Sequence, residues 1–95
     1  MIKLFVMHTG EQLHTFIGHE NWVRSLSMHP SGKYFYSAGD DKTIRLWDLQ
    51  CGKEKKTIRD AHDHFISKID FNPKYMMFAS TGNDMYVKIW QMKGI

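Results

Sequence analysis

The chain holds a single cysteine, Cys51, among its 95 residues. That excludes an internal disulfide framework and a multi-cysteine zinc site, and it fits a reducing compartment. Only two prolines are present. No apolar run approaches the roughly 20 residues that span a bilayer, so no membrane insertion is expected. Residues 1–10 lack the charged end, apolar stretch and small-residue cleavage site of a signal peptide. No long window carries a helical stripe. Net charge is only +3, from 13 basic against 10 acidic residues, which is too mild to indicate nucleic acid. What the chain does have is a composition 42% hydrophobic and 14% aromatic, which is that of a folded protein. At 11.2 kDa it is at most one small domain, and a core of that size is marginal alone.

Two segments align at an offset of 43 residues. Gly18-His19 matches Ala61-His62. Pro30, Phe35, Ser37, Gly39, Asp41 and Trp47 match Pro73, Phe78, Ser80, Gly82, Asp84 and Trp90. Thr43-Ile44-Arg45-Leu46-Trp47 matches Tyr86-Val87-Lys88-Ile89-Trp90 in type. Several pairings at one offset point to a duplicated structural unit. Within each unit, short β-favouring runs alternate with turn sequences such as His29-Pro30-Ser31-Gly32 and Gly39-Asp40-Asp41-Lys42. Leu13, Thr15 and Ile17 alternate ahead of the first unit, and Lys56-Thr57-Ile58 precedes the second. Ile2 to Val6, followed by Thr9-Gly10-Glu11, resembles Ile44 to Asp48 followed by Cys51-Gly52-Lys53. The chain therefore opens on the third strand of a preceding unit. The spacing predicts an all-β repeat of about nine strands, grouped as two, four and three.

Gly18-His19 and Trp47-Asp48, with 27 residues between them, resemble the signature of a WD-repeat β-propeller; Ala61-His62 and Trp90-Gln91 repeat that separation. The resemblance implies a partial propeller. Residues 1–17 are the outer strands of a preceding blade, 18–60 a first WD blade, and 61–95 a last blade lacking its outermost strand. It also implies one hydrogen-bonded tetrad per blade: His19, Ser37, Asp41 and Trp47, then His62, Ser80, Asp84 and Trp90. In such a tetrad each buried polar group is satisfied by the next.

A narrower likeness lies in Gly18 to Arg24, in Asp40-Asp41-Lys42-Thr43, and in Ala61-His62-Asp63-His64-Phe65. These resemble the last two blades of the lissencephaly protein family. That family regulates cytoplasmic dynein and is a non-catalytic subunit of a platelet-activating-factor acetylhydrolase. The implied function is a cytoplasmic, cytoskeleton-associated interaction module, with the dynein heavy-chain motor domain as partner and acetylhydrolase catalytic subunits as a further one. It links the chain to microtubule-based transport and nuclear migration. A whole propeller needs about 300 residues, at roughly 40–45 per blade, so a fragment is expected. Remaining blades or other copies would complete the ring, three copies making one six-bladed arrangement.

Trp22 falls in the loop that opens on the face where partners dock on propellers, and large aromatics there are typical anchors. The family's matching tryptophan and the lysine matching Lys42 contact dynein. Arg24, Asn21, His64 and Phe65 are further partner-binding candidates, and Asp40 and Asn83 share the same loops. A competing reading packs Trp22 beside Val23 and leaves Lys42 as a solvated turn residue. A generic WD scaffold for another complex and a regulatory subunit of a lipid-ester hydrolase are the alternative functions. No catalytic residue, metal or cofactor is expected. His62-Asp63-His64 has ligand types at close spacing, but no third ligand is placed beside it. Ser37, His19 and Asp41 imitate a catalytic triad, yet the same set recurs in the second unit and no oxyanion-hole loop accompanies it.

Overall fold

The computed structural model describes residues 1–91. The expected continuation of the last unit to Gly94 and Ile95 lies outside these residues. Three antiparallel sheets follow one another along the chain. The first pairs β1 (Ile2–Phe5) with β2 (Gln12–Phe16). The second runs in order through β3 (Val23–Met28), β4 (Tyr34–Gly39), β5 (Ile44–Asp48) and β6 (Glu54–Ile58). The third runs through β7 (Ile66–Asn72), β8 (Met77–Gly82) and β9 (Val87–Gln91). The grouping of two, four and three strands matches the turn spacing, and the described residues contain no helix. Among the described residues the sheets do not close into a ring.

The repeat persists in backbone detail. β3 shifts register between Val23 and Ser25, and β7 shifts between Ile66 and Lys68, at the same offset of 43. Both irregularities leave one residue unopposed, as a β-bulge does. Lys42 and Met85 share a left-handed conformation, with φ of 65° and 69°.

The second sheet is covered on both faces, and its burial follows from that. On one face Tyr36, Ala38, Ile44 and Leu46 pack with Ala61, Ile66, Ile69 and Phe78 of the second unit. The Tyr36 and Phe78 rings stack with centroids 4.7 Å apart. Burial pushes the Tyr36 phenol up to about 12. On the other face Phe35 and Trp47 meet Ile2 and Phe16 of the first sheet. Phe16 stands edge-on to Phe35 at 5.0 Å and to Trp47 at 5.6 Å. Such fully enclosed aromatics each stabilise a core by several kcal/mol relative to alanine, roughly 3–5.

The alternation of Leu13, Thr15 and Ile17 marks a strand, but β2 packs by its other face. Phe16 is buried, while Leu13 and Ile17 face solvent. Cross-strand pairing explains it, because Phe16 lies opposite Ile2 and both residues point at Trp47 and Phe35. The inner strands β3 and β7 are joined through Ser25. Its Oγ accepts from the Ile69 N–H at 3.0 Å and donates to the Ile69 carbonyl at 3.3 Å. This seam sets the two units side by side and aligns their loops at one end.

Candidate functional site

Each unit holds a linear relay of side-chain hydrogen bonds. In the first, His19 Nδ1–H donates to Asp41 Oδ2 at 2.8 Å, and the Ser37 hydroxyl donates to His19 Nε2. Trp47 Nε1–H then donates to Ser37 Oγ at 2.7 Å. In the second, His62 Nδ1–H is 3.0 Å from both Asp84 oxygens. Ser80 Oγ–H meets His62 Nε2 at 2.7 Å, and Trp90 Nε1–H meets Ser80 Oγ at 2.9 Å. A carboxylate at Nδ1 selects the Nδ1–H tautomer, which leaves Nε2 free to accept the serine proton.

Both aspartates also cap backbone. Asp41 accepts from the N–H groups of Glu20 and Thr43, and Asp84 from those of Asp63 and Tyr86. Burial pushes the Asp84 carboxyl up, but the His62 bond and these backbone donors outweigh it and hold the group at about 2. Asp41 is likewise pushed up by burial and held below the carboxylate range by His19 and Thr43. Burial dominates at His19 and lowers it, against the opposing pull of Asp41. The serines are fully buried and already receive the indole N–H, so no oxygen is presented to a substrate. His62 uses both ring nitrogens in its relay. Among the described residues no group of three His, Cys, Asp or Glu side chains is placed to hold a metal ion.

The relays hold the turns that carry the exposed loop residues. Asp40 N–H donates to the Trp22 carbonyl at 2.8 Å, and Asn83 N–H donates to the Phe65 carbonyl at 2.9 Å. Ala61 N–H reaches the Lys42 carbonyl at 3.0 Å, which ties the first turn to the start of the second unit. Gly39 makes the first of these approaches feasible. A Cβ there would lie 2.0 Å from the Trp22 carbonyl oxygen, so no side chain fits.

Trp22 stands out from this frame with 69% of its surface exposed. Asn21 caps it, its Oδ1 accepting the Trp22 N–H at 2.8 Å. His64 does the same for Phe65 through Nδ1 at 2.8 Å, and the two rings meet at 4.5 Å. The packing of Trp22 beside Val23 between sheets does not occur. Lys42 is half-buried in its turn. Arg24 is drawn to a partner within the chain: Nε and Nη2 each bond one oxygen of Asp40 at 2.8 Å. Its guanidinium also lies over the Trp22 ring, 4.8 Å from the centroid. The Asp40 bond raises Arg24, and the Arg24 bond holds Asp40 below its ordinary range. A groove of about 410 Å³ runs between the units, lined by Arg24, Asp40, Phe65, Ile66, Ser67 and Asn83.

Two features of this face escape a reading by motif. The sequence places Asp40 in these loops, but its pairing with Arg24 goes with the bulge at Val23–Ser25. Met85 is 95% exposed beside Asn83, and the offset of 43 from Lys42 was the signal that could have placed it here.

A family model, WD domain, G-beta repeat, matches residues 10–48 and 52–91. A nuclear distribution protein, PAC1-2 of Uncinocarpus reesii, is 59% identical over 61 residues, which make up 63% of this chain and 13% of that protein. Nuclear distribution protein nudF of Aspergillus terreus is 57% identical over 53 residues, 55% of this chain and 12% of that protein. Nuclear distribution protein PAC1 of Tuber melanosporum is 55% identical over a stretch of the same length and coverage. The chain thus spans about an eighth of the length of the relatives it matches. Each stretch matched by the family model carries one whole histidine-to-tryptophan relay, and the chain belongs to the WD domain, G-beta repeat family.

Proposed function

We propose that this chain is a non-enzymatic interaction module of a lissencephaly-type regulator of cytoplasmic dynein. Its loop face, with Trp22 at the centre, docks on the dynein heavy-chain motor domain. Such a module works in the cytoplasm with the microtubule cytoskeleton and serves nuclear migration. The observation that carries the reading is a large aromatic held out from the frame at the loop end, 69% exposed, on a chain similar to nuclear distribution proteins. Docking would bury the Trp22 ring, while Lys42 would meet an acidic group of the partner. Asn21, His64 and Phe65 would form the neighbouring contact surface. The enclosed serines speak for binding rather than catalysis.

The reading is tested by measuring the affinity of the chain for purified dynein motor domain. Trp22→Ala is expected to weaken binding on the order of tenfold or more, as loss of a central aromatic anchor does, with the β-sheet circular dichroism unchanged. An unaltered affinity would sink the role given to this face.

A further inference from the structure

We propose that Arg24 and Asp40 form a clamp that fixes the Trp22 indole in its exposed position, with Arg24 acting as a positioning residue and not as a charge offered to a partner. The inference rests on the reading of this face as a docking surface.

Three observations make a closed circuit. First, the Trp22 backbone is held on both sides: its N–H by Asn21 Oδ1 and its carbonyl by the Asp40 N–H, each at 2.8 Å. Only rotation about the side-chain bonds is left. Second, Asp40 takes the Arg24 guanidinium through two parallel bonds of 2.8 Å, which fix its plane as well as its position. Third, that plane lies 4.8 Å from the Trp22 ring centroid. The path runs from the Trp22 backbone through Asp40 and Arg24 back to the Trp22 ring. Asp40 is buried and Arg24 is partly exposed, so the inner member of the pair is anchored and the outer one covers the indole.

The same geometry argues against Arg24 as a ligand for an acidic partner. Its charge is already matched by the Asp40 carboxylate, and two of its donor groups are in use. The second unit supplies the contrast. Phe65 stands where Trp22 does, but Ser67 and Asn83 replace Arg24 and Asp40. The Phe65 ring meets His64 instead. An exposed tryptophan without a clamp samples several rotamers and must lose that freedom on binding; a ring held beforehand avoids much of this cost.

The test uses the 15N-labelled 95-residue chain, whose three tryptophans each give one indole N–H signal. Trp47 and Trp90 report the integrity of the sheets, and Trp22 reports the clamp. In Arg24→Gln the Trp22 indole is expected to become mobile by heteronuclear NOE, with the other two signals unchanged. Asp40→Asn should give the same loosening, and serves if the first variant fails to fold. Affinity for dynein motor domain is expected to fall about fivefold in either variant, as the binding-competent rotamer loses population. Arg24→Lys, which keeps the charge and loses the planar fork, should behave like Arg24→Gln. Adding Arg24→Gln to Trp22→Ala should cost nothing further. The clamp is overturned if the Trp22 indole stays as rigid in Arg24→Gln and Asp40→Asn as in the parent. It is equally overturned if Arg24→Lys retains full affinity, or if Arg24→Gln weakens the Trp22→Ala chain again. Should Trp22→Ala bind as well as the parent, the docking reading fails, and the indole measurement alone then decides the clamp.

Discussion

The second and third sheets carry the same relay on the same strands, yet one is enclosed and the other is half open. Leu46 of β5 is 3% exposed, whereas Ile89 at the matching place on β9 is 64% exposed. The inner strands reverse the order: Leu26 of β3 is 54% exposed and its counterpart Ile69 only 3%. Residue type does not explain either difference, since each pair is aliphatic. The neighbours do. β5 lies between β4 and β6 with the second unit packed on its face, while no described strand pairs with the far edge of β9. Leu26 lines an open cavity together with Ile2 and Lys3 of the first sheet, whose strands cover Trp47 and Phe35 but leave Leu26 exposed. In a repeat of this kind a unit contacts only its neighbours, so burial is a property of the junction and not of the unit.

The strongest way to break that comparison is to remove the tryptophan that ends each relay. Trp47 is fully buried between Phe16 and Phe35, and Trp90 is only partly covered. Trp47→Ala is expected to cost about 4 kcal/mol, and Trp90→Ala about half of that. Urea unfolding followed by circular dichroism measures both. Equal losses would mean that the relay bonds, common to both, outweigh enclosure.

A second difference lies under the histidines. Arg45 is buried, with Nη1 at 3.3 Å from both Glu54 oxygens and Nε donating to Thr43 Oγ1 at 3.1 Å. Its Nη2 is 3.7 Å from Asp41 Oδ2. The guanidinium fits because position 18 is glycine: a Cβ there would lie 2.8 Å from both Arg45 Nη1 and Trp47 Cη2. The second unit has Lys88 and Ala61 at these places, and the slimmer ammonium donates to the Ala61 carbonyl at 2.7 Å. Gly18→Ala should therefore destabilise by about 2 kcal/mol through overpacking. Arg45→Lys added to Gly18→Ala should recover part of that loss, a coupling that a double-mutant cycle reads directly. No recovery would show that the glycine serves the backbone and not the arginine.

The two relays should also part company with pH. His19 is lowered below 6.5 by burial, so the unfolded chain takes up its proton first. Its contribution is full above pH 6.5 and is lost as pH falls through the lowered value. Asp84 is lowered from 3.8 to about 2, so its contribution is full above pH 3.8 and fades as pH falls toward 2. Urea midpoints across this range are expected to decline in two stages. Asp84→Asn should shrink the lower stage, to which Asp40 and Asp41 also contribute, and leave the upper one. A single stage at carboxylate pH would mean that His19 is not part of the balance.

Much of this architecture was legible in the order of residues. A constant offset of 43 shows a repeat, and turn residues at regular spacing divide it into nine strands. The offset also names which histidine, serine, aspartate and tryptophan stand at matching places. Which face of a strand is packed was not legible. The run Leu13, Thr15 and Ile17 alternates well enough, but the cross-strand partner Ile2 and the ring of Trp47 select Phe16 of β2. The Arg24–Asp40 fork was hidden for a similar reason, because it depends on a bulge that shifts the register by one residue. Sequence spacing carries topology, and these finer choices belong to junctions between segments far apart in the chain.

The turns after β4 and β8 are where the units should respond alike in stability and differ in binding. Lys42 and Met85 occupy left-handed backbone at φ of 65° and 69°, which a Cβ disfavours. Glycine relieves that conflict but adds freedom to the unfolded chain, so Lys42→Gly and Met85→Gly should each stabilise by about 0.5 kcal/mol. The backbone bonds of both turns remain, since Lys42 and Met85 donate to the carbonyls of Gly39 and Gly82 through main-chain N–H groups. Their side chains differ in kind: one ends in an ammonium and the other in an uncharged thioether. Affinity for dynein motor domain should fall in Lys42→Gly and hold in Met85→Gly. If both variants lose affinity, the surface extends across the two units and recognises shape over charge. If neither does, the contact is confined to Trp22 and its immediate loop, and the lysine is a solvated turn residue.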